Sequence, residues 1–145
     1  MNKTRRFTAM LVFNLSFLVA CGNAAELYPK LWGAASTGKL QKVEALIDKG
    51  LDVNKRDLSG STALIHASLG GYTDVVKLLL RHGARVNIRE KSMGITALSG
   101  AASNGHKETV LVLIKAGAKD YKGAIQWAKK YRRSEIVEIL REKSE

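Results

Sequence analysis

The sequence predicts an all-α stack of about four helix-turn-helix units, and three observations carry that expectation. Gly50-Leu51-Asp52-Val53-Asn54 returns as Gly83-Ala84-Arg85-Val86-Asn87 33 residues later, and Gly117-Ala118 follows after a further 34. A period of this length belongs to stacked supersecondary units, none of which can bury its apolar face alone. Each interval holds two short apolar segments parted by a glycine. The outermost intervals are the most heavily charged, as the exposed ends of a stack need to be.

The first segment stands apart from this repeat. Lys3, Arg5 and Arg6 precede an apolar run from Phe7 to Ala20 that is too short for a comfortable membrane span. Basic flank, apolar run and small residues in that order predict a secretory signal over 1–20. The chain's one cysteine, Cys21, ends the run in Leu18-Val19-Ala20-Cys21-Gly22. That arrangement resembles the bacterial lipoprotein signal, in which a cut before the cysteine frees a thiol to carry lipid. Ordinary secretion, with a cut after Ala24 or Ala25, is the alternative. Either cut leaves 21–26 as a short attached or removed linker and 27–143 as the repeat domain. No disulfide is possible in the mature chain.

Within the domain the copies fall at about 27–56, 57–89, 90–122 and 123–143. The first runs from Leu31-Trp32-Gly33-Ala34-Ala35 through Gly38 to Val43, Leu46 and Ile47. In the second, Asp57-Leu58-Ser59-Gly60-Ser61 is a turn, with Gly60 supplying a backbone angle closed to other residues. Thr62 caps a helix over Ala63 to Leu69. Gly70-Gly71-Tyr72 breaks it, a second helix covers Asp74 to His82, and Gly83 ends that one. The third copy repeats the plan with Thr96-Ala97-Leu98, Gly105-His106, and Val110, Leu111, Leu113 and Ile114. A truncated fourth keeps Ala124-Ile125-Gln126-Trp127-Ala128 and Ile136-Val137-Glu138-Ile139-Leu140. The first and last copies are caps.

These framework positions resemble the ankyrin repeat, a β-hairpin-like turn followed by two antiparallel helices. The usual Thr-Pro-Leu-His start is eroded: Thr62-Ala63-Leu64-Ile65 and Thr96-Ala97-Leu98-Ser99 lack both Pro and His. The polar bracing that this histidine supplies in the family is therefore expected to be replaced by apolar packing. The resemblance implies protein binding by hairpin tips and exposed first-helix residues. By position these are Arg56, Leu58, Ser59 and Ser61 from one tip, and Arg89, Lys91, Ser92, Met93 and Ile95 from the next. Ser36, Thr37, Leu69, Gly70, Ser103 and Asn104 complete the set from the inner helices. Arg56, Arg89 and Lys91 should align as a basic stripe beside aliphatic Leu58, Leu69, Met93 and Ile95. The second tip is one residue longer, which marks Lys91-Ser92-Met93 for specificity.

The search for chemistry points away from an enzyme. His66 reads as packed between repeats, His82 as a helix-end cation and His106 as part of a Gly-His turn. No cysteine cluster or His-x-x-x-His pair supports a metal, and no nucleophile elbow or phosphate loop is present, so neither cofactor nor metal is expected. Trp32 and Trp127 read as core packing. The formal net charge of +11 becomes +8 when Lys3, Arg5 and Arg6 leave with the signal. Such a balance favours a protein with an acidic surface or an anionic membrane, and export disfavours nucleic acid. The sequence thus predicts a monomeric, lipid-anchored envelope protein facing the periplasm that binds, shields or stabilises another protein. Protection of an envelope enzyme, or immunity to a toxin, fits that role. A soluble periplasmic or secreted form, adsorption to the envelope by charge, or delivery to a host cell are the alternatives.

Overall fold

The computed structural model describes residues 24–144, which form eight helices. Cys21 and the segment 1–20, expected from the sequence to be a signal, lie outside the described residues. Helix α1 is described over 24–36. It is followed by α2 (Leu40–Asp48), α3 (Ala63–Gly70), α4 (Thr73–Arg81) and α5 (Ala97–Asn104), then α6 (Lys107–Lys115), α7 (Tyr121–Lys130) and α8 (Ser134–Ser144). Odd-numbered helices pack on one another in an inner layer, even-numbered ones in an outer layer. Among the described residues there is no strand, only an isolated antiparallel bridge between Arg89 and Thr96.

Sequence register explains the core. Leu31, Leu64 and Leu98 occupy one position of successive inner helices and are at most 1% exposed. Val43, Val76 and Val110 do the same for the outer layer, with Leu46, Leu79, Leu113 and Leu140 one turn on. Burying each leucine contributes roughly 2 kcal/mol. Alanines at 34, 67, 101 and 128 are buried as well, and their small side chains let inner helices approach closely. Thr62 caps α3 through the Ile65 amide, and Thr96 forms a reciprocal capping box with Ser99 at α5. Asp120 caps α7, so the last unit begins without a hairpin tip.

Successive units are also clipped by polar side chains. Asn54 accepts from the Arg85 amide at 2.7 Å and donates to the Gly83 carbonyl at 3.0 Å. Asn87 repeats this with the Lys119 amide and the Gly117 carbonyl. At the opposite edge Gly38, Gly71 and Gly105 each end an inner helix in the left-handed region. The residue seated over each comes from the next unit: Tyr72 on Gly38, His106 on Gly71 and Arg133 on Gly105. A Cβ on Gly38 or Gly71 would lie within 2.4 Å of that ring, so glycine is required there by contact as well as by angle.

Two sequence expectations need correction. Packing between repeats is not the whole role of His66: its Nε2 meets Asp57 Oδ2 of its own unit at 2.7 Å. Polar bracing is also not lost with the family histidine. Asp57, Glu90 and Asp120 carry it instead, because the turn ahead of each inner helix leaves amides that need an acceptor.

Candidate partner-binding surface

The two hairpin tips are built around carboxylates. Asp57 Oδ1 accepts from the Ser59 amide (2.9 Å), the Ser59 hydroxyl (2.6 Å) and the Ser61 amide (2.9 Å), while Oδ2 faces His66. Burial alone would raise the Asp57 pKa, but the Ser59 hydroxyl, His66 and the Ser61 amide together hold it below the usual aspartate value. A turn wound this tightly around its own acid leaves the intervening side chain no neighbour. Leu58 is accordingly 103% exposed.

The second tip solves the same problem for one more residue. Glu90 stands where the first tip has Asp57, and its extra methylene matches the extra residue. Its Oε2 accepts from the Ser92 amide (2.8 Å) and hydroxyl (2.6 Å), and its Oε1 from the amides of Met93 (2.5 Å) and Ile95 (3.1 Å). The side chain is buried. Burial opposes ionisation, yet the Ser92 hydroxyl and the Ile95, Ser92 and Met93 amides outweigh it and hold the pKa at about 2. The Glu90 amide and the Ile95 carbonyl close the hairpin at 2.9 Å. Met93 at the tip is 64% exposed. The Lys91 amide donates to the Ser59 carbonyl at 3.0 Å, and the Lys91 stem lies over Gly60, so the tips form one continuous edge.

The predicted residues divide into two groups on this frame. Arg56, Leu58, Ser59, Arg89, Lys91, Ser92 and Met93 are exposed at the tips, with Ile95 half-buried just behind. Ser36, Thr37, Leu69, Gly70, Ser103 and Asn104 sit at the other end of the inner helices. A helix of eight residues separates the groups by ~12 Å. Ser61 and Ser103 are buried at 6% and 7% exposure: Ser61 closes the first turn and Ser103 donates to the Gly100 carbonyl. Leu69 is half-buried against the core, and its carbonyl accepts from Asn104 and His106. Ser36 and Thr37 are exposed, with hydroxyls donated back to the Gly33 carbonyl.

The basic stripe is thinner than its sequence suggested. Arg89 is exposed but engaged, donating to the Gly94 carbonyl at 2.7 Å and pairing with Asp120 at 3.1 Å. Arg56 and Lys91 remain, and neither is in an ion pair among the described residues. The sequence also did not announce two aromatic pairs, one on α1 and one at the C-terminal end of α7. Tyr28 stacks on Trp32 with centroids 6.0 Å apart, and the Trp32 indole N–H donates to the Lys55 carbonyl at 3.2 Å. Trp127 stacks on Tyr131 at 6.1 Å, with the Lys130 ammonium 4.7 Å above the indole. Both tryptophans are half-buried, and Trp32 packs against the core as the sequence suggested. The spacing of four in each Tyr–Trp pair was the available signal.

Among the described residues no group of three His, Cys, Asp or Glu side chains is placed to hold a metal, and no helix is long and apolar enough to cross a membrane. What the edge offers is exposed aliphatic surface with cations beside it, on a backbone fixed from within.

Comparison with known proteins agrees with this architecture. The family model for ankyrin repeats (three copies) matches residues 31–123. "Probable E3 ubiquitin-protein ligase XBOS33" of Oryza sativa subsp. japonica is 41% identical over 81 residues, which is 56% of this chain and 16% of that protein. The ankyrin repeat and KH domain-containing protein mask-1 of Caenorhabditis elegans is 41% identical over 93 residues, 64% of this chain and 4% of that protein. The B-cell lymphoma 3 protein homolog of Mus musculus is 38% identical over 86 residues, 59% of this chain and 19% of that protein. The matched stretch thus spans less than a fifth of each of these relatives.

Proposed function

Because the chain belongs to the ankyrin-repeat family, we propose that it is an exported bacterial protein-binding module that binds, shields or stabilises an envelope protein. Ankyrin repeats are protein–protein interaction modules, and this reading adds the edge that makes the contact and the compartment where it is made. The contact lies along the two joined tips, through Leu58 and Met93 with Arg56 and Lys91 beside them. Full exposure of Leu58 on a turn held rigid by Asp57 carries the reading. A pre-organised apolar side chain loses little freedom on docking, and a neighbouring arginine is a common companion in a binding hot spot. The action is non-enzymatic: the module occludes or steadies its partner.

Anchoring is through lipid on Cys21. Residue 24 is already in α1, so such a lipid would hold the first unit close to the bilayer. The mass of the mature N-terminus tests this part, since a start at Ala25 or Glu26 without lipid would refute it. The binding part is tested by pull-down from envelope extracts with wild type and with Leu58→Glu plus Met93→Glu. One partner protein, lost in the double variant while the melting temperature holds, is the expected result. Capture that falls with salt and ignores both substitutions would replace the reading by adsorption through charge alone.

A further inference from the structure

The C-terminal end of the stack carries a second feature, at the opposite end of α7 from the tips. A groove of about 320 Å³ lies between α7 and α8, lined by Lys129, Arg132, Arg133, Ser134, Val137, Glu138 and Arg141. Four cations and one carboxylate face it. Elsewhere the outer helices lace their charges together, Lys77 to Glu108 and Lys107 to Glu135. None of Lys129, Arg132, Arg133 and Arg141 is in an ion pair among the described residues.

Arg132 is the telling residue. In the turn between inner and outer helix it occupies the position of Gly38, Gly71 and Gly105, with the same backbone hydrogen bonds. The Arg132 amide donates to the Lys129 carbonyl and the Arg133 amide to that of Ala128, as Gly105 and His106 do to Ala102 and Ala101. Its φ is 58°, and it is the one non-glycine residue with positive φ among those described. No later unit among the described residues covers this turn, so a side chain fits, but the left-handed angle still disfavours one. Glycine would serve the turn better. The guanidinium therefore stands there against backbone preference, and it lines the groove.

We infer that this groove is a binding site for a phosphate-bearing anion, held by Arg132, Arg141 and Lys129, with Arg133, whose Nε donates to the Ser103 carbonyl at 3.2 Å, adding charge at its edge. Planar guanidinium groups match phosphate oxygens two at a time, and Lys129 adds a point charge. Ser134 opens α8, whose first amides have no acceptor within the helix and add positive potential at the same place. Val137 gives the groove an apolar floor, and the volume lies at the lower bound for small-molecule sites. The site thus takes a phosphate together with a small substituent, whether a soluble phosphate ester or the headgroup of an anionic lipid.

The test is an NMR titration of the labelled chain with inorganic phosphate at constant ionic strength. Saturable shifts confined to residues 129–141 are expected. Arg132→Gly and Arg141→Gln should each weaken binding about tenfold, the scale of one lost charge-assisted hydrogen bond. Arg132→Gly should fold at least as stably as the wild type, which separates loss of binding from loss of structure. Lys42→Gln, which removes an equal charge at the far cap, should change binding less than about twofold. Shifts spread over all exposed lysines, or equal weakening by Lys42→Gln and Arg132→Gly, would overturn the site. Flotation with phosphatidylglycerol or phosphatidylcholine vesicles, in a Cys21→Ser background, identifies the source. Capture by the phosphatidylglycerol vesicles that Arg132→Gly abolishes makes it a headgroup. Phosphate binding without such capture makes it a soluble ester.

Discussion

Glu90→Gln replaces the carboxylate of the longer tip by an amide of nearly the same shape. The carboxylate accepts four hydrogen bonds, and a carboxamide can accept only with its one oxygen, so either the Ser92 pair or the Met93 and Ile95 pair goes unmet. With the pKa held at about 2 against a usual 4.5, the charged form is favoured by at most ~3 kcal/mol. The carboxamide keeps part of the hydrogen bonding, leaving a loss of about 2 kcal/mol. For a domain of this size such a loss lowers the melting temperature by about 8 °C. The pH dependence has a definite sign. A depressed carboxylate pKa stabilises the fold above pH 4.5, and that contribution disappears as pH falls from 4.5 through about 2. Thermal melts of both proteins at several pH values should therefore differ most at pH 7 and converge towards pH 2. Equal stability at pH 7, or a gap that persists unchanged on acidification, would refute the role assigned to Glu90.

Other substitutions probe separate parts of the account. Gly71→Ala should cost at least about 2 kcal/mol in denaturant melts, because the new Cβ meets both a left-handed angle and the His106 ring; Gly83→Ala, with open space around it, should cost about 1. His66→Ala should destabilise by about 1 kcal/mol through loss of its bond to Asp57, and should raise the aspartate's pKa in an NMR titration. Leu58→Glu and Met93→Glu should each change stability by less than about 0.5 kcal/mol, since neither side chain is buried.

The fold was legible because its rules are local and repeat. Thr62 before an apolar run, Gly83 after one and the interval between them identify a unit without reference to any other part of the chain. The tip surface was legible only in part. Leu58 and Met93 announce themselves as apolar residues at turn positions that a core does not need. Arg89 does not announce that its charge is paired, because its acceptors, the Gly94 carbonyl and Asp120, come together only when the third and fourth units stack. The extra residue at Lys91-Ser92-Met93 was visible as an insertion, but not the exchange of Asp57 for Glu90 that accommodates it. That match of side-chain length to loop length is a relation in space. Arg132 was hidden for another reason: the fourth unit is shorter, so its alignment with Gly71 and Gly105 emerges from backbone hydrogen bonds rather than from the period.

The central claim is that partners dock on the hairpin tips, and photo-crosslinking from defined positions tests it most directly. A photoreactive residue placed at Leu58 or Met93 should trap one and the same protein, while one at Lys115 on the outer helix α6 should trap none. Adducts that form equally well from position 115, or none from 58 and 93 while the protein remains folded, would contradict it.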